Sequence, residues 1–285
     1  MSQDSITRFL VDSANVRGEV LRLTDSWQEI LRRADYPHSV RNLLGEAVAA
    51  TALLAETIKF DGSLTLQVRG AGQVELLVVQ VTSENTLRGM AKCADVVTGE
   101  TMQELLGDGQ MAITIEMGEG KQDYQGIVPL QGERLQDAIQ SYFENSEQLP
   151  TKVWLTANDD SVAGLFLQKL PGAAPEAEDE DHWNRMTLLA GTVKDAELQT
   201  LDADRLLYQL FNEEVVRLFE AQHLRFQCTC SRERTAGAIR AMPKAEALEI
   251  VEQEGNIEVQ CQFCKADYVF DKADVEALFH ESSVH

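Results

Sequence analysis

Four of the five cysteines fall into two close pairs. Cys228 and Cys230 stand in FQCTCSRER at 226–234, Cys261 and Cys264 in VQCQFCKADYVF at 259–270, and 30 residues separate the pairs. A CxxC turn lets two thiolates converge on one cation, and a second close pair completes a tetrahedral four-sulfur shell. That is the closed, structural type of zinc site, with no position left for a water nucleophile. A bound cation also holds the sulfurs as thiolates. The spacing therefore predicts one Zn2+ site, in the reduced protein, made by Cys228, Cys230, Cys261 and Cys264.

The spacing leaves the role of that site open. An inert zinc clip would fold a small terminal module. A redox switch would use the same thiols as electron donors, because each pair is close enough in sequence to close as its own disulfide, although a CxC ring is tight. Either oxidation removes two ligands. Structural zinc contributes roughly 10–16 kcal/mol of apparent binding energy in small peptides, so metal loss and unfolding of a sixty-residue module would be one event. A thioredoxin-like catalyst needs its CxxC at a strand-to-helix turn, whereas a strand-like YVF follows this one.

Other chemistry is sparse. Cys93 in MAKCADVV reads as a small core residue. His223 lies near the first pair and could substitute as a ligand, but four thiolates already fill the shell. GEGK at 118–121 is a hairpin turn and not a phosphate cradle, and G-x-S-x-G and H-E-x-x-H are absent. An enzyme is not expected.

The net charge is −22, from 47 acidic and 25 basic residues. From Phe226 to His285 six basic residues face eleven acidic ones, a local −5, which opposes a nucleic-acid-binding zinc ribbon. The first residues lack the basic and apolar regions of a secretory signal. The apolar stretch Leu43 to Ile58 is broken by Gly45, Glu46 and Glu56, so no membrane partner is expected and the cytoplasm is the expected location.

The elements that must carry the site begin with an α+β pattern. Strands are expected on either side of Ser13 to Asn15, helices over 26–35 and 39–59, and a hairpin turning at Gly70 and Gly72. Further strands are expected over 110–117, 124–130, KVWLTA and VAGLFLQKL, with a helix over 133–145. This suggests an α+β domain over 1–175. PGAAPEAEDEDHW, with five acids at 176–181, reads as a solvated linker start. About 45 residues of helical character follow, with Leu206, Leu207, Leu210 and Phe211 on one face and Val215, Leu218 and Phe219 on another. The segment 176–225 is expected to be a helical linker, metastable unless docked on the first domain. The zinc-binding module occupies 226–285.

FQCTCSRER, the following AIRAMPKAE and VQCQFCKADYVF together resemble the C-terminal module of the redox-regulated heat-shock holdases, the thirty-three-kilodalton chaperonin family. SYFENSEQLPT at 141–151 and the opening ITRFLVDSANVRGEVLRLTDSWQEIL resemble that family too, so the likeness spans the chain. The resemblance implies an ATP-independent chaperone, inactive while reduced and zinc-bound. It implies that peroxide with heat, or hypochlorous acid, forms the disulfides Cys228–Cys230 and Cys261–Cys264, that zinc leaves and that module and linker unfold. It also implies a dimer that binds unfolding clients and passes them to the DnaK foldase system.

Overall fold

The computed structural model describes residues 4–144, 148–171 and 176–280. Contacts group the chain into two compact units, 1–227 and 228–285. The middle of SYFENSEQLPT, the small-residue run at 172–175 and the last five residues lie outside the described set.

In the first unit β1 (Ser5–Val11) and β2 (Val16–Leu23) form a hairpin, followed by α1 (Asp25–Leu31) and α2 (His38–Thr57). Then come β3 (Ser63–Gly70), β4 (Val74–Thr82), β5 (Thr86–Cys93), α3 (Met102–Leu106), β6 (Gly109–Glu116), β7 (Tyr124–Pro129), α4 (Leu135–Tyr142), β8 (Thr151–Ala157) and β9 (Val162–Lys169). The chain continues through α5 (Glu176–Ala190), α6 (Asp195–Thr200), α7 (Ala203–Phe211), β10 (Val216–Leu218), β11 (Gln222–His223) and β12 (Arg225–Phe226). One sheet runs β10-β1-β2-β9-β8, with β11 also on β1; the other runs β12-β5-β4-β3-β6-β7.

Helix α2 contacts strands of both sheets, which explains why it is apolar around most of its girth, from Val40 to Leu54. Gly45 is required there: a Cβ would lie 2.4 Å from the Ala157 methyl and 2.7 Å from Val162. Asp4 fixes the start of the fold. Its carboxylate accepts from the backbone N–H groups of Thr24, Asp25 and Ser26 at 2.6, 2.9 and 2.7 Å, and so serves the free donors at the start of α1.

The second apolar cluster joins the linker to the first sheet. Phe9, Val11, Val16, Val20, Leu165 and Leu167 pack against Trp183, Met186, Leu198, Leu206, Leu207, Leu210 and Phe211. The expected apolar face of α7 is thus a docking face, and each large side chain it buries contributes about 1.5–3 kcal/mol.

Three expectations need correction. The stretch expected as a solvated loop is helical from Glu176. Val215, Leu218 and Phe219 are not on a helix: the chain there is extended and pairs with β1, and these side chains are 79%, 41% and 40% exposed. Their apolar spacing fits a helix, but sheet pairing across 200 residues of sequence overrides local pattern. Finally, β5 is a strand not foreseen, and Cys93 at its end is half-buried and packs against the margin of the main core instead of lying inside it. Burial first, then Asp95 and Glu75, raises its thiol pKa, which disfavours the reactive thiolate.

The second unit contains α8 (Arg232–Arg240), α9 (Lys244–Glu254), the hairpin β13 (Asn256–Gln260) and β14 (Asp267–Asp271), and α10 (Lys272–His280). Its core is Ala236, Ile239, Ala247, Val251, Ile257, Phe270 and Val275. With two alanines, two valines, two isoleucines and one aromatic ring, that core is too small to make a sixty-residue unit robust without a further constraint.

Candidate metal centre

The two cysteine motifs are set by different local devices. Cys228 and Cys230 lead into α8, whose N-terminus Ser231 caps by accepting from the Arg234 N–H at 3.2 Å. The Arg234 guanidinium then donates to the Thr229 carbonyl at 2.9 Å and pins the residue between the two cysteines. Cys261 and Cys264 occupy the loop joining β13 to β14. There the Lys265 N–H donates to the Cys261 carbonyl and the Cys261 N–H to the Ala266 carbonyl, both at 2.9 Å. Closing so tight a turn places Lys265 at φ 59°, in the left-handed region that non-glycine residues seldom occupy.

These devices bring the four sulfurs within 4.8 Å of one another. Cys228 Sγ is 3.7 Å from Cys261 Sγ, and Cys230 Sγ is 3.3 Å from Cys264 Sγ. A tetrahedral shell with zinc–sulfur bonds of about 2.3 Å has sulfur–sulfur edges of about 3.8 Å. The two spacings lie just under and about half an ångström under that edge, and far exceed a disulfide bond of about 2.05 Å. The donor set therefore fits a tetrahedral, thiolate-binding cation, and all four residues expected as ligands are brought together.

The protein surroundings do not hold the Cys264 sulfur as an anion by themselves. Burial first, then the hydrogen bonds shared with Cys230, Cys228 and Cys261, pushes the Cys264 thiol up to about 12, against a lowering by the Ala266 N–H. A dication supplies the missing positive charge.

Sequence reasoning missed Tyr268, whose hydroxyl donates to Cys230 Sγ at 3.1 Å. Such outer-shell donors orient a ligand sulfur. The only signal was an aromatic residue four positions after the CxxC. Arg232 was also unforeseen as a brace. Its guanidinium lies 4.3 Å from the Phe270 ring centroid, donates to the Val269 carbonyl at 2.7 Å and pairs with Asp274 at 2.6 Å. His223 is not in the cluster. It lies in β11 of the first unit with Nδ1 3.2 Å from the Asp4 carbonyl. Among the described residues no helix is long and apolar enough to cross a membrane.

Comparison with known proteins agrees over the whole chain. A family model described as "Hsp33 protein" matches residues 4–271. The "33 kDa chaperonin" of Nitrosococcus oceani is 45% identical over 280 residues, covering 98% of this chain and 96% of the relative. That of Pseudomonas fluorescens is 46% identical over 281 residues, covering 97% and 93%. The crystal structure of the 33 kDa chaperonin from Thermotoga maritima superimposes with a TM-score of 0.84 at 23% identity, covering 99% of each chain, which shows the shared fold. With four sulfurs gathered as a cation site and relatives matching from end to end, the chain belongs to the Hsp33 family of chaperones.

Proposed function

We propose that this protein is a cytoplasmic, ATP-independent holdase switched on by oxidation, with a zinc site as its lock. The observation that carries the reading is the four-sulfur cluster on a unit with a very small core. When bound, zinc holds the sulfurs as thiolates and ties the CxC motif to the CxxC loop. Each thiol pair can give two electrons and two protons to an oxidant; peroxide takes them and becomes two waters.

The pairing matters for the outcome. The sulfurs given above as 3.7 and 3.3 Å apart belong to cysteines 33 and 34 positions apart in the chain. Bridges along those contacts would close long loops and stabilise the unit. Cys228–Cys230 and Cys261–Cys264 bridges close minimal rings, hold neither motif to the other and remove all four metal donors. Either pairing consumes all four metal donors; this reading adopts Cys228–Cys230 and Cys261–Cys264, the pairs that the family resemblance implies and that leave the two motifs untied. Unfolding of the second unit would then free the end of the linker, because β12 is joined to Cys228 through Gln227 alone. The linker face that packs on the first sheet would become available to unfolding clients. Dimerisation of the activated form and transfer of clients to the DnaK system complete the proposal, and it requires no catalytic residue.

The test compares reduced and peroxide-treated protein for suppression of light scattering by a thermally unfolding client, with zinc release followed in parallel. Suppression by the oxidised form alone, with one zinc released per chain, is expected. Equal suppression in both states, or zinc retained after oxidation, would overturn it.

A further inference from the structure

The short strands that end the linker are held in an unusual way. β10 and β11 lie antiparallel on the edge of β1, with Phe9 opposite Leu218, Val11 opposite Val216 and Ile6 opposite Gln222. The Phe219 N–H donates to the Arg8 carbonyl at 2.9 Å, and the Leu224 N–H to the Asp4 carbonyl at 3.3 Å. Main-chain pairing thus runs along the length of β1. The side chains add less: Val215 stands in solvent and Leu218 and Phe219 are part-exposed, while Val216 packs against the second apolar cluster. Beyond His223 the segment buries further apolar groups: Leu224 joins the main core, and Phe226 packs against it under the Arg33 guanidinium, 5.4 Å from the ring centroid.

A strand held by its backbone with exposed side chains is a sequence-tolerant contact, because any extended chain offers the same row of donors and acceptors. Two features add selectivity. Arg8 and Arg217 lie 5.8 and 5.6 Å from the Phe219 ring centroid, an aromatic clamp. Beside Leu218 and Phe219 is an open cleft of about 280 Å³ whose wall includes Val20 and Leu201 on one hand and Arg22 and Asp202 on the other, so it offers an incoming side chain both apolar and polar contacts.

We propose that the β1 edge is a strand-accepting surface for extended apolar segments of unfolded polypeptide, and that β10 and β11 are its built-in occupant. This rests on the proposed oxidative release of the linker, which would free the edge. Freed, β1 presents the unpaired N–H and C=O groups that folded proteins keep covered. An incoming segment would add antiparallel to β1, with an aromatic side chain in the place of Phe219.

The test uses full-length protein and a fluorescent synthetic peptide of residues 214–224. Oxidised, zinc-released protein should bind the peptide, the reduced protein should not, and excess peptide should compete with a client in the light-scattering assay. A peptide N-methylated at Phe219 loses the donor that meets the Arg8 carbonyl and should bind about tenfold more weakly. Suppression of client aggregation without peptide binding would overturn the edge proposal and leave the holdase reading intact. Peptide binding without suppression would do the reverse. Equal binding of the methylated peptide would overturn strand addition as the mode of contact.

Discussion

Replacing Glu19 by glutamine tests the energetics of the first unit directly. Glu19 stands on β2 with its side chain 2% exposed, and its Oε2 has no hydrogen-bond partner. Burial is the main cause that raises its pKa from 4.5 to about 8; nearby Glu56 adds to the rise, while Arg17 and Arg8 oppose it. Below pH 4.5 the carboxyl is protonated in both folded and unfolded chains, so no charge is buried and its contribution does not vary with pH. Between pH 4.5 and about 8 the folded protein binds a proton that the unfolded chain has released, so stability falls as pH rises. Above about 8 both forms are ionised and the loss is complete. At about 1.4 kcal/mol per pH unit, the loss is roughly 3 kcal/mol at pH 7 and about 5 kcal/mol at its plateau.

Glu19→Gln removes the titration but keeps the shape. Its amide must find the partners the protonated carboxyl finds, and any shortfall is an offset constant in pH. The slope of the difference between variant and parent is therefore the quantity to measure. Urea unfolding of both proteins from pH 5 to 9, followed by fluorescence of the buried Trp27, gives that difference with contributions from the cysteines cancelling. The variant should gain on the parent by about 1 kcal/mol or more per pH unit up to about pH 8 and then level off. A difference independent of pH would show that Glu19 is ionised in the folded protein and refute the reasoning.

Three further outcomes are expected. Cys264→Ser should abolish stoichiometric zinc binding, and far-UV circular dichroism should lose the signal of α8, α9 and α10 while near-UV signals of the first unit persist. Tyr268→Phe removes the hydrogen bond to Cys230 Sγ and should weaken zinc about tenfold, seen as faster metal transfer to a chromogenic chelator at unchanged helix content. Phe211→Ala empties a fully buried site between α7 and the first sheet, a loss of about 3–5 kcal/mol, enough to loosen the linker. That variant should suppress client aggregation while still reduced, and unchanged inactivity with zinc bound would count against linker release as the activating step.

By itself the sequence determined the chemistry of the site and most of the architecture. CxC and CxxC are local signals, because a tight turn brings near neighbours together whatever surrounds it. The apolar stripe of α7 and the hairpins of the first domain follow equally from local period and turn residues. Tertiary structure decided what local pattern cannot encode. Leu218 became strand, with Val215 and Phe219 flanking it, because β1, some two hundred residues earlier, offered a free edge. Tyr268 reached Cys230 because hairpin and helix converge, although 38 positions separate them. Glu19 reads as an ordinary strand-surface acid until β1, β9 and α2 close around it, and that enclosure is the main cause of its raised pKa. Whether a side chain meets solvent, a partner or a buried charge depends on contacts distant in the chain, and those exist only once the fold has formed.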